Sequence, residues 1–331
     1  MELLFLGTSS GTPTKQRNVS ALALQPENSK HWYLVDCGEG TQHQLLYCSL
    51  SLKTLKAIFI THVHGDHCYG LLGLLASASM LGRQEPLTLI APQAIEEWLK
   101  VSCQLTELYL PYSVNFLAVD QLTEWHDDQV QIQPTLLAHR VPSYAYTFIE
   151  NNIEPSLNSD KLLAEQIPQG QLWGQLKKGL DVEWQGKILH SQDYLVSSRP
   201  ARKIIVGGDN DTPELLTQAC HQAQVLIHEA TYTEDIAANV GAQVQHSSAA
   251  IVAKFAQQQQ LPHLILTHFS PRYQHNTKQS PSIADIQQEA GQYYQGKLFL
   301  AEDFAKYRLT KAGELLSLSI KKPQSLEAFC T

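Results

Sequence analysis

The hydrophobic positions of this chain fall into short runs that end on loops rich in glycine and polar residues. These runs predict buried strands over residues 2–7, 19–24, 32–35 and 57–60. A helix is predicted from about residue 41, and a leucine-rich helix follows the fourth strand as far as about residue 80. Because strands alternate with helices, the pattern predicts an α/β or mixed fold.

Two later apolar runs, 203–206 and 263–267, lead directly to side chains that are able to bind metal, Asp209 and His268. Loops at the ends of a rigid sheet are a common place for functional groups. Residues 151–200 differ, being rich in Gln, Ser, Asn and Lys. A loop of that length is uncommon in a compact domain unless it has a function or its own structure. We therefore expect a single domain over 1–331 with an insertion at 151–200.

Four metal-capable side chains occupy six positions directly after the fourth predicted strand. They form an HxHxDH motif of His62, His64, Asp66 and His67. Side chains two positions apart on extended backbone point to the same side, so His62 and His64 are predicted to bind one ion, while a turn at Gly65 directs the other two toward a second ion. A lone histidine here would favour a structural role. Four donors together favour metal binding, because unpaired polar groups are costly to desolvate.

Two ions need more ligands, and single candidates occur at His139, Asp209 and His268. Taken singly, each has an alternative role as a core histidine, a cap or a strand end. Imidazole and carboxylate without thiolate suit Zn²⁺, with Mn²⁺, Co²⁺ or Fe as alternatives. Two ions roughly 3.5–4 Å apart that share a water supply hydroxide at neutral pH, which predicts hydrolysis. The predicted ligands are His62, His64 and His139 for the first ion, Asp66, His67 and His268 for the second, and Asp209 as the bridge.

Composition narrows the protein class further. The 331 residues are 43% hydrophobic with a net charge of −8, which excludes a disordered chain and argues against nonspecific nucleic-acid binding. No apolar run approaches the length of a membrane span, and the amino terminus lacks the basic region of a secretory signal. The six cysteines form no CxxC pair. We therefore expect a cytoplasmic protein with free thiols and no membrane association.

Beyond the metal motif, the sequence resembles the ribonuclease Z family, also called ribonuclease BN or tRNA 3′-endonuclease, of the metallo-β-lactamase fold. The similarity spans nearly the whole chain. It is carried by Gly7-Thr-Ser-Ser-Gly-Thr-Pro-Thr with Arg17-Asn18, Asp36-Cys-Gly-Glu-Gly-Thr-Gln, Thr61-His-Val-His-Gly-Asp-His, His139 with Pro142-Ser-Tyr, His228-Glu-Ala-Thr, His246-Ser, Thr267-His-Phe-Ser with Arg272-Tyr273, and Ala301-Glu-Asp-Phe.

The resemblance implies a four-layer αβ/βα sandwich with two Zn²⁺ ions per subunit, a homodimer, and cleavage of precursor tRNA after the discriminator nucleotide. The implied products are a 3′-hydroxyl on the tRNA and a 5′-phosphate on the trailer. Residues 151–200 fall where the family inserts an arm that clamps the tRNA bound to the partner subunit. Four positions depart from the family pattern near its motifs: Gln171 replaces a proline in the arm, Asn210 replaces a threonine, Ser248 replaces a threonine and keeps a hydroxyl, and Ala145 replaces a glycine.

The resemblance also indicates the proton-transfer groups. Asp66 is expected to bind metal and to accept the proton of the attacking water, as in the family. His246 is the candidate general acid, with Glu229 orienting its ring as a carboxylate orients a catalytic imidazole. The alternatives are that His246 caps the helix that follows it, and that Glu229 is a buried structural acid.

Substrate contacts are predicted at two places. Thr14, Arg17 and Asn18 follow the first strand, and an Arg guanidinium matches phosphate oxygens. The alternative for this segment is an exposed polar loop without a substrate contact. Lys177 and Lys178 lie in the arm, although a pair of lysines is equally typical of a solvated surface. Arg272, in the last histidine motif, completes the predicted set.

Three functions compete at this point. A metal-dependent endoribonuclease that processes precursor tRNA is favoured. A small-molecule phosphodiesterase or arylsulfatase-like hydrolase has the same ligands but needs no arm. A catalytically silent RNA-binding scaffold is disfavoured by the complete ligand set.

Overall fold

A computed structural model describes residues 1–151, 153–276 and 278–318. The chain divides into two compact units, the second of which comprises Asp127–Val130 and Ile149–Ala201. The predicted insertion at 151–200 falls within the range of this second unit. No helix in the described ranges is long and apolar enough to cross a membrane. The five described cysteines are free, and Cys330 lies outside the described residues.

The described residues form strands of two to eight residues. In chain order they are β1 Glu2–Gly7, β2 Ala21–Gln25, β3 Trp32–Val35, β4 Leu55–Phe59, β5 Leu87–Ala91, β6 Val114–Ala118, β7 Trp125–His126, β8 Val130–Leu137, β9 Ser143–Glu150, β10 Pro155–Leu157, β11 Val182–Trp184, β12 Lys187–Leu189, β13 Leu195–Ser197, β14 Lys203–Val206, β15 Val225–Glu229, β16 His263–Thr267, β17 Lys297–Leu300, β18 Lys306–Leu309 and β19 Leu315–Leu318.

The α-helices alternate with these strands through much of the chain. They are α1 Thr41–Leu45, α2 Gly65–Cys68, α3 Leu71–Met80, α4 Gln93–Leu105, α5 Ser159–Ala164, α6 Gln171–Lys177, α7 Thr217–Cys220, α8 Glu234–Val240, α9 Ala249–Gln258 and α10 Ile283–Tyr293.

The predicted strands and helices occur within two residues of their expected ends. The second strand begins at Ala21 rather than at Val19, because Val19 instead forms an isolated bridge with Ser9. The segment at Gly65, predicted as a turn, forms the short helix α2. A side chain at Gly65 would collide with the ring of Tyr69, since an added Cβ would lie 2.1 Å from that ring.

Two large sheets form the centre of the first unit. One has the strand order β19-β18-β1-β2-β3-β4-β5-β6, and the other has β17-β16-β15-β14-β9-β8-β7. Strands β3 to β6 are parallel, as are β14 to β17. Parallel strands covered on both faces read as continuous apolar runs, and such runs predicted β3, β4, β14 and β16.

The faces of the first sheet divide as strand geometry requires. On β3, Trp32 and Leu34 join the core beneath α3 and α4. Tyr33 lies on the opposite face, where its ring centroid is 6.1 Å from that of Phe148 in the second sheet. The sheets therefore pack on each other through aromatic side chains.

The outer face of the first sheet is covered by α3. Its buried side chains recur at helical spacing as Leu71, Leu74, Leu75 and Ala78. Each buried leucine contributes about 2 kcal/mol of hydrophobic stabilisation. Helices α9 and α10 cover the second sheet in the same way. The predicted four-layer αβ/βα sandwich is confirmed.

The second unit has a small core of its own. Strand β10 pairs with β13, and β11 pairs with β12. Helices α5 and α6 accompany these ribbons, and Trp173 packs at the margin of the core, with its indole N–H donating to the carbonyl of Ile167 at 3.1 Å. The buried core residues are Leu162, Ile167, Leu176, Val182, Leu189 and Tyr194.

Candidate metal centre

The predicted ligands come together at the carboxyl ends of the parallel strands. His62 follows β4, Asp209 follows β14, and His268 follows β16. His139 lies between β8 and β9, and α2 carries Asp66 and His67. Ligand sites in open α/β sheets typically form at this edge, because neighbouring strands end there together.

The first group contains the three histidines assigned to one ion. His64 Nδ1 lies 3.1 Å from His62 Nε2 and 3.2 Å from His139 Nε2. Asp209 Oδ2 is 3.6 Å from His62 Nε2 and 3.8 Å from His139 Nε2. The four donor atoms therefore surround one point.

The second group contains the other three ligands. His268 Nε2 lies 3.2 Å from His67 Nε2 and 3.3 Å from Asp66 Oδ2. Asp209 Oδ1 is 3.5 Å from His67 Nε2 and 3.3 Å from His268 Nε2. Because its two oxygens face different groups, Asp209 has the geometry of a bridging carboxylate.

The outer nitrogen of each of two histidines has a hydrogen-bond partner that only accepts. His139 Nδ1 lies 2.8 Å from the carbonyl oxygen of Gln245, and His67 Nδ1 lies 2.7 Å from Asp36 Oδ2. Nδ1 must therefore carry the hydrogen in both rings. In the neutral ring Nε2 then faces the centre as a bare lone pair, which is the form that binds metal.

Two threonines fix the rings of His62 and His268 in the same tautomer. The Thr61 hydroxyl donates to Asp36 Oδ2 at 3.0 Å and so accepts from His62 Nδ1, also at 3.0 Å. The Thr231 hydroxyl donates to a carboxylate oxygen of Glu229 and accepts from His268 Nδ1 at 3.0 Å. The donor set thus fits a divalent metal, with imidazole nitrogens and carboxylate oxygens directed inward and no thiolate among them.

Sequence reasoning did not assign these outer partners. Asp36 opens the Asp36-Cys-Gly-Glu-Gly-Thr-Gln motif and directly follows β3, and this position at a strand end was the signal that could have identified it. Its partners Thr61 and His67 are 25 and 31 residues away along the chain. Gly11, whose amide donates to Asp66 Oδ2 at 2.7 Å, carried no signal as a site residue.

Two residues of the centre have left-handed backbone. Asp36 and His268 both have a φ of 59°. A non-glycine residue in this region costs about 1 kcal/mol or more. The hydrogen bonds of Asp36 and the buried setting of His268 hold both side chains in place against this cost.

Burial and neighbouring charges shift the ionisation of the ligands in opposite directions. Burial lowers the pKa of His62, and the positive forms of the neighbouring histidines lower it further. Burial would raise the pKa of Asp66, but the positive charge of a protonated His67 holds it well below its usual value. The centre therefore favours neutral imidazole at His62 and an ionised carboxylate at Asp66, which are the metal-binding forms.

His246 and Glu229 lie together beside the ligands. Glu229 Oε1 is 3.0 Å from His246 Nδ1, and Asp209 Oδ2 is 3.8 Å from the same nitrogen. Burial would lower the pKa of His246, but the carboxylate of Glu229 raises it above the usual value. The cap of α9 is Ser248, whose hydroxyl accepts from the amide of Ile251. His246 is therefore not the helix cap.

The predicted phosphate loop is tied into the protein by its own hydrogen bonds. The Thr14 hydroxyl accepts from the amide of Arg17 at 3.0 Å, and the guanidinium of Arg17 donates to the Thr8 hydroxyl and the Ala301 carbonyl at 2.7 Å each. The amide of Asn18 donates to a carboxylate oxygen of Asp303 at 2.6 Å. These contacts shape the loop, and its role toward substrate stays a prediction.

The remaining predicted contacts divide between the two units. The guanidinium carbon of Arg272 lies 5.1 Å from the ring centroid of Tyr232, and that ring lies edge-on to His246 at 6.0 Å. Arg272 thus lies near His246. Lys177 and Lys178 are exposed at the end of α6 in the second unit.

Comparison with known proteins identifies the family. The family model described as Anti-Pycsar protein Apyc1 matches residues 1–169, the first half of the chain. Over a much longer span, the chain is 54% identical to "Ribonuclease Z" of Pseudomonas putida (strain W619), covering 95% of this chain and 98% of that protein. It is 53% identical to "Ribonuclease Z" of Marinobacter nauticus, with the same coverage of 95% and 98%.

Solved structures agree with the sequence comparison. Human tRNase Z, short form, superposes with a TM-score of 0.63 at 25% identity, covering 94% of this chain and 100% of that chain. The metallo-β-lactamase fold protein YhfI from Bacillus subtilis superposes with a TM-score of 0.62 at 16% identity, covering 92% and 98%, and supports the fold. With this fold, the converging His/Asp centre and relatives that match almost end to end, the chain belongs to the ribonuclease Z family of metal-dependent hydrolases.

Proposed function

We propose that this protein is a zinc-dependent endoribonuclease that removes the 3′ trailer from precursor tRNA. The observation that carries the proposal is the pair of ligand groups that share Asp209, with His246, the partner of Glu229, 3.8 Å from that aspartate. The name ribonuclease Z among relatives, and tRNase Z for a similar structure, support tRNA as the substrate. The complete ligand set argues against a catalytically silent scaffold.

The metal ligands and their proposed ions follow the two groups. His62, His64 and His139 would hold one Zn²⁺, and Asp66, His67 and His268 would hold the other, with Asp209 shared between them. When bound, such ions lower the pKa of water and neutralise charge on a phosphodiester. The set of nitrogen and oxygen donors also accommodates Mn²⁺ or Co²⁺.

The protein's own groups would move two protons. Asp66, ionised and adjacent to the centre, accepts the proton of the attacking water. His246 holds its Nδ1 hydrogen against Glu229, which leaves Nε2 to donate a proton to the departing 3′-oxygen. Cleavage in this direction leaves a 3′-hydroxyl on the tRNA and a 5′-phosphate on the trailer.

Recognition of tRNA is proposed to use groups beyond the metal centre. The second unit, with Lys177 and Lys178 exposed, is the proposed tRNA-binding arm. Thr14, Arg17, Asn18 and Arg272 are the proposed contacts in the first unit. We also propose that the enzyme acts in the cytoplasm. It is proposed to be a homodimer, which light scattering of the purified protein would check by its molecular mass.

One assay separates this function from its rivals. The purified protein is given a precursor tRNA labelled on its 3′ trailer and, in parallel, bis(4-nitrophenyl) phosphate, each with and without a chelator. The proposal expects chelator-sensitive release of an intact trailer with a 5′-phosphate. Cleavage of the small diester alone would indicate a small-molecule phosphodiesterase, and binding without cleavage would indicate a scaffold. Elemental analysis of the same preparation measures the identity and number of the ions.

A further inference from the structure

Asn210 directly follows the bridging Asp209 and is completely buried. Its backbone connects it to the proton-transfer pair. The amide of Asn210 donates to Glu229 Oε1 at 2.9 Å, the oxygen that also faces His246 Nδ1. Its carbonyl accepts from the hydroxyl of Ser247 at 2.7 Å. Because Ser247 follows His246 in the chain, Asn210 contacts both the carboxylate of Glu229 and the segment that carries His246.

The side chain of Asn210 connects further segments. Its Oδ1 accepts from the amides of Ala138 and Thr212, at 3.2 Å each. Ala138 precedes the ligand His139. Its Nδ2 lies 3.0 Å from His228 Nε2. One side chain therefore holds the His139 segment, the Asp209 loop and the end of β15 in register.

The orientation of the Asn210 amide follows from its neighbours. His228 Nδ1 faces the carbonyl oxygen of Glu229 at 2.8 Å, so Nδ1 carries the hydrogen and Nε2 accepts from Asn210 Nδ2. Burial lowers the pKa of His228 and thereby favours this neutral ring. Oδ1 is then directed to the two amides. A side chain with a single hydroxyl offers one polar atom in place of the separate Oδ1 and Nδ2 that make these contacts.

Glu229 itself is fully engaged. Oε1 is shared by the amide of Asn210 and the ring of His246, while Oε2 accepts from the amide and hydroxyl of Thr231. A shift of the Asn210 backbone would therefore displace the carboxylate that orients the His246 ring.

We infer that Asn210 is a positioning residue for general-acid catalysis, holding Glu229 and the His246 segment so that His246 Nε2 is aligned with the leaving oxygen. This inference rests on the proposed function, because it assumes that His246 is the proton donor. It predicts an effect that depends on the leaving group. A leaving group that needs a proton suffers when the donor is misplaced, and 4-nitrophenolate, which leaves without one, does not.

The test compares Asn210→Ala with wild type on precursor tRNA, diphenyl phosphate and bis(4-nitrophenyl) phosphate. We expect kcat to fall about 10- to 100-fold on the tRNA, within the range of general-acid effects, and less than about threefold on the nitrophenyl ester. KM for tRNA and metal content stay unchanged. Equal losses on all three substrates, no loss on any, or a loss of metal would overturn the inference.

Failure of the proposed function gives a different result. A wild-type enzyme that hydrolyses both aryl diesters but not precursor tRNA overturns the proposed function. The ratio of the two aryl rates in Asn210→Ala still decides the role of Asn210, because phenolate needs a proton more than 4-nitrophenolate does.

Two further variants serve as a control and as a second test of the inference. Thr212→Ala is the matched control, because its hydroxyl donates only to the neighbouring Asp211, and we expect wild-type rates. Ser247→Ala removes one hydrogen bond to Asn210, and we expect a several-fold change in the same ratio of rates. If Asn210→Ala does not fold, an unchanged ratio in Ser247→Ala overturns the inference.

A readout independent of activity is the ¹⁵N spectrum of the wild-type imidazoles. We expect His228 to be neutral with its hydrogen on Nδ1. The opposite tautomer would contradict the contact with Asn210 Nδ2.

Discussion

The metal centre and the second unit differ in how firmly their functional side chains are held. At the metal centre, the histidine rings of His62, His67, His139 and His268 each have their outer nitrogen held by another group. In the second unit, the proposed contacts to tRNA are exposed side chains on a helix above a core of six buried residues. Bond cleavage needs donors fixed to within fractions of an ångström, whereas electrostatic attachment of a long polyanion tolerates mobile side chains. Variants in the two regions should therefore fail in different ways.

The largest effect is expected from Asp209→Ala at the metal centre. Loss of the bridging carboxylate should lower metal content and reduce kcat on both precursor tRNA and bis(4-nitrophenyl) phosphate by more than about a thousandfold, corresponding to about 4 kcal/mol of transition-state stabilisation. Elemental analysis and steady-state rates measure both. Full metal content with normal turnover would remove the bridge from the mechanism.

His246→Ala should lower kcat on saturating precursor tRNA by about 10² to 10³ while both ions remain bound. Because Glu229 raises the pKa of His246, the acid form persists through neutral pH and activity is lost as pH rises through that pKa. Glu229→Gln should move this alkaline limb to lower pH. Unchanged turnover of His246→Ala on tRNA would contradict the acid role.

Asp36→Asn should weaken metal binding about 10- to 100-fold, the range observed when the outer partner of a ligating histidine is changed. The amide preserves the size of the side chain but removes the charge that orients His67. Competition with a chelating dye measures the affinity. Asp181→Asn, an exposed carboxylate in the second unit, is the matched control. Equal affinities in both variants would show that Asp36 has no part in metal binding.

Leu162→Ala tests the core of the second unit. Removing this fully buried side chain should destabilise the unit by about 2–4 kcal/mol. We expect a raised KM for precursor tRNA and unchanged hydrolysis of bis(4-nitrophenyl) phosphate. Limited proteolysis locates the loosened segment. A parallel loss on the small diester would mean that the two regions are not functionally separate.

The smallest effect is expected from the Lys177→Ala/Lys178→Ala double variant. Losing one or two phosphate contacts should reduce the slope of log affinity against log salt by roughly one to two, with kcat unchanged. Binding titrations across a salt series measure the slope. Exposed Lys187→Ala in the same unit gives a comparison for the loss of a single charge. A wild-type slope in the double variant would refute the contact.

The candidate metal ligands were predictable because their chemistry is visible locally. HxHxDH places four donors in six residues, and Asp209 and His268 each follow an apolar run that had to be a strand. The partners that fix the ring tautomers were not predictable, since Asp36, Thr231 and Gln245 meet their histidines only when distant strands align. The second unit was recognisable as an insertion by composition. Its core of short ribbons around Leu162 had no periodic signal long enough to read.

By itself the sequence determined the first four strands, the strands that lead to Asp209 and His268, the seven candidate ligands and the family resemblance, because apolar runs and donor clustering are local properties. The tertiary structure alone decided which nitrogen of each ring faces the metal, how the two oxygens of Asp209 are shared, and that Asn210 joins Glu229 to the segments of His139 and His246. These features depend on hydrogen bonds between residues far apart in the chain, which form only when the two sheets pack and their carboxyl ends meet.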